Sequence, residues 1–106
     1  MDIVSEIKFD KDGLVSVIAQ DYESNEVLMF AYANAEAVKK TFETGKVHYY
    51  SRSRKALWLK GETSGHFQIV KEIYLDCDKD AVLIKIEQIG NACHTNNKSC
   101  LFNKVE

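Results

Sequence analysis

The sequence predicts a small α+β domain that is rich in β-strands, about six of them, and contains one main helix. Three observations predict this class. Several segments are rich in β-branched and bulky apolar residues, only one segment combines helical spacing with signals at both ends, and five glycines divide a chain that has no proline. With 106 residues, the chain is expected to form a single domain over residues 1–106.

The first two strands are predicted at residues 14–21, LVSVIAQD, and 26–32, EVLMFAY. Both segments are rich in the β-branched and bulky residues that favour strands. The polar segment YESN between them has the composition of a turn, so the two strands are expected to be joined directly.

The helix is predicted over residues 35–44, AEAVKKTFET. Asn34 is expected to be its N-cap, and Gly45 stands where a glycine in the left-handed conformation ends many helices. Val38 and Phe42 are spaced i,i+4, which places them on one side of the helix.

Four more strands are predicted at residues 46–54, 55–61, 66–78 and 81–89. Alternation along 66–78 separates its side chains into two sets, with Lys71 interrupting the first: Phe67, Ile69, Ile73, Leu75 and Cys77 on one side, and His66, Gln68, Glu72, Tyr74, Asp76 and Asp78 on the other. If this strand continues to residue 78, Cys77 and its neighbouring aspartates point in opposite directions and serve different sites.

The composition excludes several classes of function. Fourteen Lys and Arg against sixteen Asp and Glu give a net charge of -2, so the chain has no basic field that would attract nucleic acid. No apolar stretch approaches the roughly 20 residues that span a bilayer, and the acidic N-terminus is unlike a secretory signal. A cytoplasmic protein is therefore expected, and a reducing compartment disfavours disulfides among its three cysteines.

The segment DCDKD places Asp76, Asp78 and Asp80 at alternate positions around Cys77. An EF-hand is rejected because the sixth loop position, which requires glycine, is Ala81. Three carboxylates suit a hard cation such as Mg²⁺, while the alternative is a solvated acidic turn, since Asp is a favoured turn residue.

The segment CHTNNKSC contains Cys93 and Cys100, with His94 beside the first. Cys77, Cys93 and Cys100 together provide three thiolates. Three is the number of protein ligands found in catalytic zinc sites that keep one position open. The alternative is that the cysteines are buried apolar residues, although the polar loop TNNKS argues against it. His94 is either a group that transfers a proton near a metal-bound water or an exposed loop histidine.

Residues 49–66, YYSRSRKALWLKGETSGH, mix basic and hydroxyl side chains around a Gly-x-x-x-Gly loop. Such a mixture suits phosphate oxygens, whereas the alternative is a solvated strand face. Trp58 and Tyr50 could stack on a base or fill the core. The candidate substrate-binding residues of this segment are Ser51, Arg52, Ser53, Arg54, Trp58, Lys60, Glu62, Ser64 and His66.

Taken in order, the motifs SRSR, LWLKGETSGH, DCDKD and ACHTNNKSC resemble the phosphoribosyl-AMP cyclohydrolase family of histidine biosynthesis over about residues 13–102. The resemblance implies an intertwined homodimer that takes phosphoribosyl-AMP as its substrate. It also implies Zn²⁺ on Cys77, Cys93 and Cys100, with Cys77 supplied by the partner subunit, Mg²⁺ on Asp76, Asp78 and Asp80, and proton transfer by His94.

The reaction implied is hydrolytic opening of the adenine ring at its N1–C6 bond by a zinc-activated water. Some members of the family carry a fused pyrophosphohydrolase domain, which is not expected in this chain. The departures from the family pattern are small: YY before SRSR, no methionine in ANAEAV, and Asn96 where glycine is common. Because asparagine tolerates left-handed backbone, the loop is expected to keep its shape.

Two other functions remain open. A non-enzymatic interaction module would use the three thiolates and His94 as a closed structural zinc site. A regulatory domain would bind the nucleotide without changing it.

Overall fold

A computed structural model describes residues 2–106 and confirms the α+β class. Within this range the chain forms two helices and six strands, listed here in chain order: α1 Ile3–Glu6, β1 Val15–Asp21, β2 Val27–Ala33, α2 Ala35–Thr44, β3 His48–Ser51, β4 Ala56–Leu59, β5 Gln68–Leu75 and β6 Ala81–Gln88. The predicted strands all form, although most are shorter than predicted. The single turn α1 was not predicted, and the side chain of Asp2 caps it by accepting from the Val4 amide.

Four strands form one sheet in the order β2-β1-β6-β5, and β3 and β4 form a separate hairpin. β1 pairs with β2 antiparallel and with β6 parallel, and β5 pairs with β6 antiparallel. The chain between β2 and β5, which contains α2 and the β3–β4 hairpin, packs over one face of this sheet. The core lies between these layers and includes Val17, Ala19, Leu28, Val38, Tyr49, Ile84 and Ile86. No helix in residues 2–106 is long and apolar enough to cross a membrane.

The predicted helix is confirmed together with both of its ends. The Asn34 side chain accepts from the Ala37 amide at 2.9 Å, and Gly45 has a φ of 75° while its amide donates to Thr41. Val38 is buried, but Phe42 is 57% exposed, so the buried face is narrower than an i,i+4 pair indicates. Thr41 lies on that face and accepts from the His48 amide at 2.8 Å, which connects the helix to β3.

The strand predicted over residues 66–78 is shorter, because β5 ends at Leu75. The Asp76 carboxylate accepts from the Asp80 and Ala81 amides at 2.9 and 3.1 Å, and these bonds close a turn in place of further strand pairing. A bulge between Val70 and Glu72 explains why Lys71 interrupts the alternation. The prediction that strand alternation orients Cys77 and the aspartates is therefore wrong, since these residues lie on the turn.

Gln68 is buried, although strand alternation places it on the same side as the polar residues His66 and Glu72. It is fully buried, because the β3–β4 hairpin lies against that part of β5. Its side chain accepts from the Tyr49 hydroxyl at 2.6 Å and donates to Gln88 at 2.9 Å. A buried amide is tolerated here because each of its polar atoms has a partner.

The turn that follows β4 depends on Gly61. Its φ is 91°, and a Cβ there would lie 2.6 Å from the backbone of His66 and Phe67. Gly13 has a φ of 75° but has open space around it, which makes it a matched control. We expect Gly61→Ala to lower the free energy of unfolding by about 2–4 kcal/mol and Gly13→Ala by about 1 kcal/mol, as measured by urea denaturation. Equal effects at the two positions would contradict the close packing of this turn.

Candidate functional site

The loop that contains Cys93 and Cys100, residues 91–100, is attached to the edge strand β2. The Cys100 amide donates to the Leu28 carbonyl at 2.7 Å, and the Ser99 hydroxyl donates to the Val27 carbonyl at 2.7 Å. Ser99 is buried, so its bond is shielded from water. These contacts fix Cys100 beside β2. We call this segment the cysteine loop.

A tight turn within the cysteine loop returns Cys93 toward Cys100. The Asn96 amide donates to the Cys93 carbonyl, and the Cys93 amide donates to the Asn97 carbonyl, each at 3.2 Å. Asn96 has a φ of 69°, which confirms that asparagine occupies the left-handed region here. The Cys93 and Cys100 thiols consequently lie near enough for each to influence the pKa of the other.

The two thiols differ in their electrostatics. The Thr95 hydroxyl lies 2.9 Å from Cys93 Sγ, and hydrogen bonds from the Thr95 side chain and backbone lower the pKa of Cys93. Burial, followed by hydrogen bonding to Cys93, raises the pKa of Cys100. Neither cysteine is in a disulfide. Two free thiols on one loop, one of them favoured as thiolate, suit a thiophilic divalent cation such as Zn²⁺.

The structure does not bring Cys77 to this pair within one chain. Cys77 is exposed on the turn between β5 and β6, whereas the cysteine loop is attached to β2 at the opposite edge of the sheet. Three intervals between neighbouring strands separate these edges, a distance of roughly 14 Å. Zinc–sulfur bonds are about 2.3 Å long, so one ion cannot bind all three sulfurs of a single chain.

His94 follows Cys93 directly and is exposed. Among residues 2–106, the three aspartates of DCDKD are the only three His, Cys, Asp or Glu residues whose ligand atoms lie within 4.8 Å of one another. His94 therefore does not join Cys93 and Cys100 in a three-ligand cluster in this chain. The closed four-ligand site that an interaction module requires is likewise not assembled within the described chain.

The three aspartates of DCDKD form a cluster, as their spacing suggested. Ligand oxygens of Asp76, Asp78 and Asp80 lie within 4.8 Å of one another, and all three residues are exposed. Hydrogen bonding to Asp78 and then to Asp76, with added repulsion, raises the pKa of Asp80 to about 6. Desolvation raises the pKa of Asp76, but hydrogen bonds from Asp80 and from the Ala81 and Asp80 amides outweigh it, and the pKa is lowered. Three converging carboxylates suit a hard cation such as Mg²⁺.

The raised pKa of Asp80 predicts a pH-dependent stability in metal-free protein. In the folded state the Asp80 carboxyl group stays protonated up to about pH 6, whereas its ordinary pKa is 3.8. The stabilisation is therefore complete below about pH 4 and is lost as the pH rises through about 6. We expect Asp80→Asn to raise the melting temperature by about 1–2 °C at pH 7 and to have no effect at pH 4.

The control for this prediction is Asp12→Asn, which changes an exposed aspartate in a different turn. Both variants are compared with the parent by thermal denaturation in chelator at pH 4 and pH 7. An Asp80→Asn effect that is the same at the two pH values would contradict repulsion within the cluster.

The candidate substrate-binding residues of 49–66 separate into exposed and partly buried groups. Arg52, Ser53 and Arg54 are exposed in the β3–β4 turn, where the Arg52 guanidinium lies 4.1 Å from the centre of the Tyr32 ring. Ser51 Oγ accepts from the Arg54 amide at 3.3 Å and orders this turn. Among the candidate residues, the exposed basic groups that a phosphate could reach are therefore the two arginines.

The other candidates lie at or beyond β4. Trp58 is partly buried and its ring centre lies 5.2 Å from that of Tyr49, which favours the core-filling interpretation of Trp58. Glu62 and Ser64 are exposed in the following turn. His66 packs so closely on Gly90 that a Cβ there would lie 2.5 Å from the imidazole ring.

The sequence did not identify two groups that support the site. The sequence indicates Thr95 only as part of a polar loop, whereas its hydroxyl contacts Cys93 Sγ in the structure. Tyr49 and Gln68 form a buried hydrogen bond under the β3–β4 hairpin, and the only sequence signal is that Gln68 stands among the apolar residues Phe67, Ile69 and Val70.

A family model and several similar proteins all carry the same description. A family model described as phosphoribosyl-AMP cyclohydrolase matches residues 29–102. The chain is 59% identical over 101 residues to phosphoribosyl-AMP cyclohydrolase of Archaeoglobus fulgidus, covering 95% of this chain and 94% of that protein. The corresponding protein of Hyphomonas neptunium is 58% identical over 99 residues, covering 93% of this chain and 76% of that protein.

A longer relative is the histidine biosynthesis bifunctional protein HisIE of Thermoanaerobacter pseudethanolicus. It is 59% identical over 103 residues, which cover 97% of this chain and 48% of that protein. The chain thus spans about half the length of this bifunctional relative.

Proposed function

This chain belongs to the phosphoribosyl-AMP cyclohydrolase family and is an enzyme of that kind, and we propose that it opens the adenine ring of 1-(5-phosphoribosyl)-AMP by hydrolysis at the N1–C6 bond. This reaction would be the third step of histidine biosynthesis, in the cytoplasm. The observation that supports it most strongly is that one loop holds the free thiols of Cys93 and Cys100, in a chain that also carries a three-carboxylate cluster.

The proposed reaction needs an activated water and a proton acceptor. The water oxygen adds to C6, the N1–C6 bond breaks, and N1 leaves as an amidine nitrogen. C6 and its exocyclic nitrogen then form a carboxamide. Substitution at N1 makes the ring cationic and favours attack at C6, but an aromatic carbon still requires a strong nucleophile.

We propose that Cys93 and Cys100 of one subunit and Cys77 of the partner subunit hold Zn²⁺. The bound ion would supply a hydroxide near neutral pH, since zinc lowers the pKa of bound water to about 7. Thr95 would keep Cys93 oriented through its hydroxyl, which lies 2.9 Å from the sulfur. His94 is exposed directly beside Cys93 and would accept the proton of the attacking water.

A second copy of the chain is needed because one chain cannot bring Cys77 to the cysteine loop. The sheet has one face that α2 and the β3–β4 hairpin do not cover. Strand pairing aligns Phe30, Ile18, Leu83 and Tyr74 across this face. Phe30 and Tyr74 are 50% and 49% exposed. We propose that the partner subunit of an intertwined homodimer packs on this apolar face.

We propose that Mg²⁺ on Asp76, Asp78 and Asp80 and the guanidinium groups of Arg52 and Arg54 neutralise and orient the two phosphate-bearing arms of the substrate. The remaining substrate contacts stay predictions from the sequence: Ser51, Ser53, Trp58, Lys60, Glu62, Ser64 and His66.

The test is the ultraviolet spectrum of phosphoribosyl-AMP incubated with the purified protein. We expect a spectral change due to ring opening that stops on prolonged chelation and returns when zinc is added back. Nucleotide binding without a spectral change would favour a regulatory domain. Retained zinc with neither binding nor turnover would favour an interaction module.

A further inference from the structure

The Lys60 side chain reaches from the end of β4 to the cysteine loop. Its backbone amide donates to the Val47 carbonyl at 3.1 Å, which fixes the start of the side chain. The ammonium group donates a short hydrogen bond to the Ala92 carbonyl and lies 5.7 Å from the centre of the Trp58 ring. Lys60 therefore contacts the peptide group that directly precedes Cys93.

The Lys60 ammonium group has no carboxylate partner. Lys60 is half-buried, and in residues 2–106 none of the ion pairs within 4.0 Å involves it. A half-buried ammonium group without a counter-ion is unfavourable. Burial lowers the pKa of Lys60, and the negative charge of the Cys100 and Cys93 thiolates acts in the opposite direction.

We propose that Lys60 is a positioning residue for the metal site: it fixes the cysteine loop through Ala92 and balances the negative charge of the Cys93 and Cys100 thiolates. The proposal rests on the proposed function only in taking these two cysteines as zinc ligands.

The hydrogen bonds around Ala92 explain how a lysine at position 60 would position Cys93. The Ala92 carbonyl accepts from Lys60, while the Ala92 amide donates to the Lys98 carbonyl at 2.9 Å. The peptide groups on both sides of Ala92 are thus held, and Cys93 follows immediately. A zinc ion with three thiolates carries a net charge of -1, so a fixed ammonium group nearby lowers the cost of assembling the site.

This role differs from the phosphate contact that the sequence suggested for Lys60. A lysine that binds substrate phosphate needs free donors directed to solvent, as Arg52 and Arg54 have in the exposed β3–β4 turn. The Lys60 ammonium group instead points to a backbone carbonyl of the cysteine loop and is only partly accessible.

The experiment compares Lys60→Met and Lys60→Arg with Lys39→Met, which changes an exposed lysine on α2. Zinc affinity is measured by competition with a chromogenic chelator. Amide hydrogen exchange is measured in the zinc-free proteins, and KM and kcat are measured with zinc in excess. We expect Lys60→Met to weaken zinc binding by about 10- to 100-fold and to accelerate exchange of the Ala92 and Cys93 amides selectively. Lys60→Arg should restore part of the affinity, and Lys39→Met should change neither quantity.

Unchanged zinc affinity together with a raised KM would overturn the proposal and identify Lys60 as a phosphate contact. Faster exchange spread equally over β1, β2 and β6 would overturn it as well, because it would indicate a general packing role. Cys93→Ser is measured in parallel. If that variant binds zinc as the parent does, the zinc assignment fails, while the exchange comparison still decides whether Lys60 fixes the loop.

Discussion

Replacing Cys93 with serine is expected to abolish both zinc binding and ring opening. The serine hydroxyl is a far weaker ligand than a thiolate, and its proton is not lost near neutral pH. Without the ion, the pKa of the attacking water stays far above the value of about 7 that zinc would give it. We expect activity to fall by roughly 10³-fold or more and zinc content to fall to background.

The measurements are zinc content by elemental analysis and the initial rate of spectral change. Circular dichroism and urea denaturation, both in chelator, check that the variant still folds, since the Cys93 backbone bonds to Asn96 and Asn97 do not require the sulfur. Full activity in a zinc-free Cys93→Ser protein would refute the zinc-hydroxide mechanism.

Replacing Asp78 with asparagine is expected to have the second-largest effect on activity, through loss of Mg²⁺ binding with zinc binding unchanged. The change removes one carboxylate from the exposed cluster. It leaves intact the two hydrogen bonds that the Asp80 and Ala81 amides donate to the Asp76 carboxylate. We expect Mg²⁺ affinity and the Mg²⁺-stimulated rate to fall by roughly 100-fold, because a neutral amide loses the charge attraction to a hard cation. Zinc content should stay at the parental level.

Titration of the rate with Mg²⁺ at constant zinc measures this effect, with Asp12→Asn as the control for removing an exposed carboxylate. Unchanged Mg²⁺ dependence in Asp78→Asn would refute the assignment of the cluster. Loss of zinc together with Mg²⁺ would instead indicate that the two metals share ligands.

Local signals made part of this fold predictable. The limits of α2 followed from Asn34 and Gly45, because each acts on backbone groups within one helical turn. The acidic cluster was likewise predictable, since closely spaced aspartates in one turn cannot separate far. The left-handed conformation of Asn96 was predictable for the same reason, because it depends on the backbone of a single residue.

Other features depend on contacts between distant parts of the chain. Gln68 is buried because the β3–β4 hairpin packs over it, and its partner Tyr49 lies 19 residues earlier in the chain. The sheet order that puts Cys77 and the cysteine loop at opposite edges is also non-local, since β6 pairs with β1 across most of the sequence. The motifs therefore indicate the three cysteines as one set of candidate ligands, but they do not predict at which edge of the sheet each cysteine lies.

The proposed zinc site is completed across two subunits, and co-expression of two inactive variants tests this most directly. Cys77→Ser and Cys93→Ser homodimers should each be inactive. A mixed dimer contains one complete site, with Cys93 and Cys100 from the first variant and Cys77 from the second. With random pairing, half of the dimers are mixed and each has one of two sites, so about a quarter of the parental activity per subunit should return. Activity that stays at the level of the inactive homodimers, in mixed dimers verified by mass spectrometry, would contradict the shared site.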